Sequence, residues 1–281
     1  MKIGIIGLGL IGGSLAKAIK SHTDHTVYGY DCDRSTLLRA RMVEAIDAQL
    51  TARQLRQCDI VLIALYPNDV VSWLQEHAGE LKEGALVCDC CGIKTRICEI
   101  GFKLAAEHNF TFVGGHPMAG IERFGFAAAQ PNLFSRATMV LIPQADTPLE
   151  TVSELKSFFI SLGFGRIKIT TAEEHDRVIA YTSQLAHILS SAYIKSDTAL
   201  SNAGISAGSF RDMTRVATLQ SEMWTQLCLE NRAPLLDELN GLIERLSAYR
   251  EALANNDAAV LKKLFDDGCA RKAQADLLKK Q

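Results

Sequence analysis

Two hydrophobic periods run along this chain, and the switch between them divides it. In the first part, short apolar, largely β-branched runs alternate with stretches of helical spacing. The runs are Lys2–Ile6, His25–Tyr30, Ile60–Leu65, Ala85–Cys88, Thr111–Val113, Thr138–Ile142 and Arg166–Ile169. Each reads as a strand, because a strand buried on both faces is apolar throughout. Helical spacing is picked up at Leu15–Ile19, from Thr36 to about Ala45 with Asp33 or Ser35 as cap, after Tyr66-Pro67-Asn68-Asp69, from Thr95 to about Glu107, and near Leu149–Ser161. Strands alternating with helices of this length predict α/β architecture with a doubly wound parallel sheet.

Past Thr170 the strand signals stop. Glu173 to about Lys195 carries a helical stripe of Val178, Tyr181, Leu185, Ile188 and Ala192. Asn202–Ser209 reads as a small-residue loop, and Phe210–Leu219 as the start of another helix. Pro234 suits a first helical position ahead of Leu235, Leu236, Leu239, Leu242, Ile243 and Leu246. Asp257 suits the cap of a last helix with Val260, Leu261, Leu264 and Phe265. The expected domains are therefore 1–169, α/β, and 170–281, all-helical. The long apolar stripes of the second exceed what one subunit covers, which predicts a homodimer.

Composition narrows the class of protein. The 281 residues are 48% hydrophobic and 22% charged, as in an ordinary soluble globular chain of two domains. A net charge of −2 gives no reason to expect nucleic acid, and Lys279-Lys280 is the one run of like charge worth noting. No apolar run has the length of a membrane span. Lys2, the apolar stretch and Ala16-Lys17-Ala18 imitate a signal peptide, but glycines through this stretch argue against export. Eight cysteines in so long a chain are no disulfide framework; they predict reduced thiols in the cytoplasm.

Those glycines form the most informative segment. Gly7-Leu-Gly9-Leu10-Ile11-Gly12 follows the first strand and opens a helix, the setting in which G-x-G-x-x-G receives a pyrophosphate. Asp31 ends the second strand, close to the roughly 20-residue spacing at which an acid meets a ribose 2′-hydroxyl. Its carboxylate would repel a 2′-phosphate, which favours NAD, although Arg34 just beyond leaves room for NADP. Ligands in such sheets lie beyond the carboxyl ends of the strands. Tyr66–Asn68, Gly92–Thr95 and His116 fall at those ends too.

His116, between glycines and a proline, is the candidate base: a neutral imidazole suits proton abstraction near pH 7. Arg211 and Arg215, at i and i+4 after a small-residue loop, read either as a carboxylate clamp or as a surface cluster with Asp212. Ser183 and His187 share a helical face, and by spacing alone are core polar groups. Cys88-Asp-Cys90-Cys91 contains a C-x-x-C, but no second pair at matching spacing completes a zinc site.

Gly7-Leu-Gly-Leu-Ile-Gly-Gly-Ser14, Gly115-His-Pro-Met-Ala-Gly120 with Glu122, Thr182-Ser183 with His187, and Phe210-Arg-Asp-Met-Thr-Arg215 with Trp224 together resemble the prephenate/arogenate dehydrogenases of tyrosine biosynthesis. The resemblance runs in order over nearly the whole chain. It implies a Rossmann-type N-terminal domain, a helical dimerisation domain, and NAD(P)-linked oxidative decarboxylation of a cyclohexadienyl acid. It implies that His116 takes the ring-hydroxyl proton and Arg215 holds a substrate carboxylate. His187, Ser183 and Trp224 would line the pocket, with Asp212 and Glu122 ordering it. Prephenate with NAD is the expected pair, with arogenate as the alternative.

The chain departs from the family pattern at two places. Where many members carry a serine that shares the hydroxyl contact, Asp89-Cys-Cys-Gly92-Ile-Lys94 has Gly92, so water, Thr95, a nearby thiol or a variant substrate must answer for it. Ile121 and Phe124 stand where polar residues are common. No fused mutase or regulatory segment is expected, so tyrosine inhibition would act at the active site. Two other readings stay open: a hydroxy-acid or imine reductase of like architecture, which usually relies on a lysine on the interdomain helix, and an NAD-sensing protein that has lost its chemistry.

Overall fold

The computed structural model describes residues 1–201 and 204–278. It divides into two compact units, Met1–Arg232 and Ala233–Gln281. In the first, eight strands form one sheet: β1 (Lys2–Ile6), β2 (Thr26–Tyr30), β3 (Ala48–Gln49), β4 (Ile60–Ile63), β5 (Leu86–Asp89), β6 (Thr111–Met118), β7 (Thr138–Pro143) and β8 (Arg166–Ile169). Their order is β3-β2-β1-β4-β5-β6-β7-β8. The first six reproduce the doubly wound dinucleotide-binding order, with the reversal between β1 and β4.

Both faces of the sheet's centre are covered, which is why β1, β4 and the start of β5 read as unbroken apolar runs, whereas the edge strand β8 is largely exposed. Ile60 and Leu62 of β4, Leu86 and Cys88 of β5, and Met139 and Leu141 of β7 join one core with α1 (Leu10–His22), α2 (Arg34–Met42) and α6 (Leu149–Ser161). The intervening Val61, Ile63, Val87, Val140 and Ile142 join the other, with α3 (Ala52–Leu55), α4 (Pro67–His77) and α5 (Thr95–His108). The period of two along a pleated strand sends alternate side chains to opposite cores. Asp33 caps α2, its carboxylate accepting from the Ser35 and Thr36 amides at 3.0 and 3.1 Å.

The sheet is not parallel throughout: β7 runs antiparallel to β6, with His116 opposite Val140, and β8 then runs parallel to β7. Parallel strands need a crossover of a dozen or more residues, usually helical. The 119–137 connection supplies only a 3₁₀ turn, Phe126–Ala128. That connection is pinned to α1 instead: the Gln130 amide donates to Ser14 Oγ at 2.9 Å and Lys17 Nζ to the Ala129 carbonyl at 2.6 Å. The chain therefore turns back and α6 provides the next crossover. Two boundaries also moved. Strand β6 continues five residues past Val113, so His116 is paired within it, and β4 stops at Ile63, two residues short of Leu65.

The continuous helix expected over 173–195 is three pieces: α7 (Ala172–Ile179), a π-helical turn (Ala180–Leu185) and α8 (Ala186–Tyr193). Such turns insert into helices frequently at functional sites, and Ser183 lies in this one. The expected Phe210–Leu219 helix is α10 (Gly208–Thr214) ending in a 3₁₀ turn, Arg215–Ala217, and α9 (Asp197–Ser201) precedes it. Residues 202 and 203 of the predicted loop, and Lys279-Lys280, lie outside the described residues. Helix α11 (Ser221–Glu230) follows. The second unit consists mainly of two long helices, α12 (Arg232–Ala254), which starts two residues ahead of Pro234, and α13 (Ala258–Leu278). Asp257 does cap α13, accepting from the Val260 amide at 2.9 Å.

Candidate active site

The glycine turn has the shape its spacing predicts. Gly7 sits at φ +85°, a conformation L side chains rarely adopt, and a Cβ there would meet the Ala64 carbonyl of the neighbouring strand end. At Gly12 a Cβ would run into the Gly7 carbonyl, so only glycine lets α1 close onto β1. Gly9 instead faces open space. It is the N-cap of α1, whose first intrahelical bond runs from the Gly13 amide to the Gly9 carbonyl at 2.9 Å. The amides of Leu10, Ile11 and Gly12 thus have no intrahelical acceptor and point out of the helix start.

Asp31 is tied to this turn. Its Oδ2 accepts from the Leu8 amide at 2.8 Å and its Oδ1 from the Asp33 amide at 2.9 Å. A carboxylate oxygen has two acceptor sites, so room remains on each for a ribose hydroxyl. These residues fit a dinucleotide: open space over Gly9, orphan helix amides, and a fixed acid at the end of β2.

The same edge of the sheet carries the second half of the site. Ile6 pairs with Ile63, Ile63 with Asp89, and Val113 with Cys88, so the ends of β1, β4 and β5 and the far half of β6 align. Asp89 and Lys94, both fully buried, form an ion pair that also grips the Gly115 peptide from both sides: Lys94 Nζ donates to its carbonyl at 2.7 Å and Asp89 Oδ1 accepts from its amide at 3.1 Å. Burial opposes the charge on Lys94, but Asp89 outweighs it and holds the ammonium above its usual pKa. The residue after this clamp is His116.

His116 Nδ1 lies 2.9 Å from His175 Nε2, and His175 Nδ1 lies 2.8 Å from Asp176 Oδ1. Both partners are buried in α7. Burial pushes His116 well below the ordinary imidazole pKa, and His175 and Lys94 push the same way, against Asp176. His116 is thus a neutral group. A Cβ added at Gly92 would stand 3.8 Å from His116 Nε2 and 3.4 Å from Leu227 Cδ2, ordinary contact distances, so a small side chain would fit there against Nε2. Two of the substitutes expected for a serine there are engaged elsewhere: Thr95 Oγ1 donates to Asp176 Oδ2 at 2.6 Å, and Cys91 Sγ to the Leu65 carbonyl at 3.2 Å.

A second cluster lies on the helical side. Arg215 is ion-paired with Glu122, in the loop that follows His116 along the chain. The 3₁₀ turn holding Arg215 packs on α8, where the His187 ring lies over Trp224 with centroids 3.9 Å apart. His187 Nδ1 bonds the Ser183 carbonyl at 2.9 Å, so the i, i+4 pair is joined through the backbone rather than the hydroxyl. Burial holds His187 below its usual pKa. Arg211 and Asp212 do not join this cluster; they are exposed and lie 3.8 Å apart on the surface. Phe124 is likewise 47% exposed.

Sequence reading missed His175 and Asp176. Glu173-Glu174-His175-Asp176-Arg177 looks like the solvated first turns of a helix. His175 and Asp176 share the i, i+3, i+4, i+7 face of Ala172 and Ile179 that is buried, but two polar residues on that face hide the stripe. Among the described residues, no group of three or more His, Cys, Asp or Glu side chains is arranged to hold a metal ion.

A pyrophosphate-shaped glycine turn and a neutral histidine on one edge of a doubly wound sheet, joined to a helical part carrying an arginine, define a nucleotide-dependent dehydrogenase of two-part design. Residues 15–168 match the family model "Prephenate dehydrogenase, nucleotide-binding domain", and 171–267 match "Prephenate dehydrogenase, dimerization domain". The chain belongs to the prephenate dehydrogenase family. It is 34% identical to a cyclohexadienyl dehydrogenase of Zymomonas mobilis over 94% of this chain and 92% of that one. It is 31% identical to a prephenate dehydrogenase of Lactococcus lactis over 95% of this chain and 75% of the relative. Among solved structures, an arogenate dehydrogenase of Synechocystis superposes with a TM-score of 0.81 at 28% identity, covering 98% of this chain and 100% of its own. A prephenate dehydrogenase of A. aeolicus, in complex with hydroxyphenyl propionate and NAD+, shares the fold at a TM-score of 0.82 and 23% identity, covering 98% of each chain.

Proposed function

We propose that this dehydrogenase oxidises prephenate to 4-hydroxyphenylpyruvate, with loss of carbon dioxide and hydride transfer to NAD. The observation that carries this reading is the Arg215–Glu122 ion pair, which brings the arginine turn to the loop that follows His116. One region then offers a neutral base and a fixed cation, which an alcohol with carboxylates requires.

In this reading His116 Nε2 accepts the proton of the ring hydroxyl as hydride leaves the carbon that bears it. Arg215 holds a substrate carboxylate by a charge-assisted bidentate bond, and Glu122 keeps the guanidinium in place. His187, Ser183 and Trp224 line the pocket, and Asp212 stands at its outer side beside Arg211. Aromatisation then drives loss of the ring carboxylate, so the protein's work is to orient, neutralise and accept a proton. Gly7, Gly9, Leu10, Ile11, Gly12 and Asp31 would hold the dinucleotide, which when bound supplies the hydride acceptor. Asp31, fixed by two backbone amides, favours NAD over a 2′-phosphorylated cofactor. The eight free thiols suit a reducing cytoplasm.

Arogenate is the second reading, favoured by the 28% identity to the Synechocystis arogenate dehydrogenase over the full chain. The two acids differ by a keto or an amino group. The test follows reduced nicotinamide with prephenate or arogenate, each with NAD and with NADP. Prephenate with NAD is expected to turn over fastest; preference for arogenate or for NADP replaces the corresponding half of the proposal. His116→Asn is expected to lower kcat by roughly 10²–10⁴-fold, the usual worth of a positioned base. Near-normal turnover would remove His116 from its role.

A further inference from the structure

The histidine that faces the substrate space is backed by a buried pair, and hydrogen-bond arithmetic leaves that pair little freedom. Asp176 receives four donors: the Lys94 amide and His175 Nδ1 at Oδ1, both at 2.8 Å, and the Thr95 amide and hydroxyl at Oδ2, at 2.8 and 2.6 Å. Burial raises the Asp176 pKa, but the hydrogen bonds from His175 and Thr95 outweigh it and leave the carboxyl below its usual value. An ionised carboxylate only accepts, so His175 Nδ1 must carry a proton. With that as the only proton on the His175 ring, its Nε2 is bare. The group 2.9 Å from that lone pair, His116 Nδ1, must be the donor. That assigns the remaining nitrogen: His116 Nε2 is bare and faces Gly92, where an added Cβ would stand 3.8 Å from it.

We propose that His175 and Asp176 are positioning residues that hold His116 as the Nδ1–H tautomer, with Nε2 ready to receive the substrate's hydroxyl proton. The role rests on the reading of His116 as the base. When Nε2 takes that proton, the Nδ1–H bond to His175 persists, and the new positive charge is met by a chain of hydrogen bonds ending on the Asp176 carboxylate. No proton leaves the chain in this step: one moves from substrate oxygen to His116 Nε2, and the others keep their places. The pair is anchored independently of substrate. The Asp176 carbonyl accepts from Asn231 Nδ2 at 2.8 Å, and Asn231 Nδ2 also donates to Gln184 Oε1 at 2.7 Å, so the N-terminal part of α7 is tied to the end of α11 and to the π-helical turn.

The wrong tautomer would place a proton on Nε2 and leave nothing to accept with, which is why the second group behind a catalytic histidine is worth orders of magnitude in rate. The first test needs no substrate. In the full-length resting enzyme labelled with ¹⁵N-histidine, His116 is expected to show a protonated Nδ1 and a bare Nε2, and His175 a protonated Nδ1. The reverse pattern at His116, or a charged His175, overturns the assignment. The second test is kinetic. His175→Leu is expected to lower kcat at least about 100-fold while KM stays within about threefold, and His175→Gln, whose amide oxygen can accept from Nδ1–H, is expected to recover about tenfold or more of the loss. A change confined to KM, or equal losses in both variants, overturns the positioning role. Failure of the base reading looks different: His116→Asn would then turn over normally, while the resting-state spectrum of the unmutated enzyme would still report the tautomer.

Discussion

In its proposed role His116 works only as a bare imidazole, and the groups around it favour that state. Burial is the largest influence, the Lys94 ammonium adds repulsion against a positive charge on the ring, and Asp176 opposes them. A base with a depressed pKa stays neutral until pH falls through its folded-state value. The acidic limb of kcat/KM is therefore expected below about 6.5, the ordinary histidine value. A pH–rate profile with its limb at or above that value contradicts the burial argument. The same linkage acts on folding: as pH drops below about 6.5 the unfolded chain takes up a proton that native His116 refuses, so stability falls on the acid side. His116, Arg215 and Trp224 were legible from sequence because each sits in a recognisable pattern. His175 and Asp176 were not, because only the packing of α5 and α11 against α7 decides that they are buried.

The decisive element is β6. Its register puts Gly115 between Asp89 and Lys94, and the next residue is His116, the proposed base. Breaking a buried ion pair by removing one partner strands the other charge, at a cost of about 3–5 kcal/mol. Lys94→Ala is expected to lose stability of that size in equilibrium urea unfolding, and to lose activity through the freed Gly115 peptide. A loss under about 1 kcal/mol would mean that the pair is not the clamp described. Element existence was legible from periodicity, strand by strand; pairing direction at β6 and β7 was not. Whether a strand returns parallel depends on what its connection packs against, and here Ser14 and Lys17 of α1 hold that connection down. The π-helical turn was equally hidden, since one extra residue in a turn barely disturbs an apolar stripe.

At the scale of the whole molecule, the question is what stabilises the helical unit. Among its described residues only Leu235 and Ala252 are buried hydrophobics, whereas Ile243, Leu246, Leu253, Val260, Phe265 and Leu277 are exposed. Two helices with so little interior need a further apolar surface to be stable. A family dimerization domain matches 171–267, and a second copy of the chain is the partner it implies. Light scattering at working concentration is expected to give twice the chain mass. A monomer would require another explanation for the exposed stripe.

Local order decided what could be read in advance. The glycine turn, its helix and the acid at Asp31 are contiguous or nearly so, and each residue type there answers a steric or electrostatic need that no distant neighbour can alter. The central strands were apolar because both of their faces are covered, and that too is written in their period. Tertiary structure alone decided which polar residues lose water. The grip of Lys94 and Asp89 on Gly115 and the His116–His175–Asp176 chain each join segments far apart in the chain, and their energies come from burial and direction, which exist only once the elements have packed. The Arg215–Glu122 pair also joins distant segments, but it stays exposed.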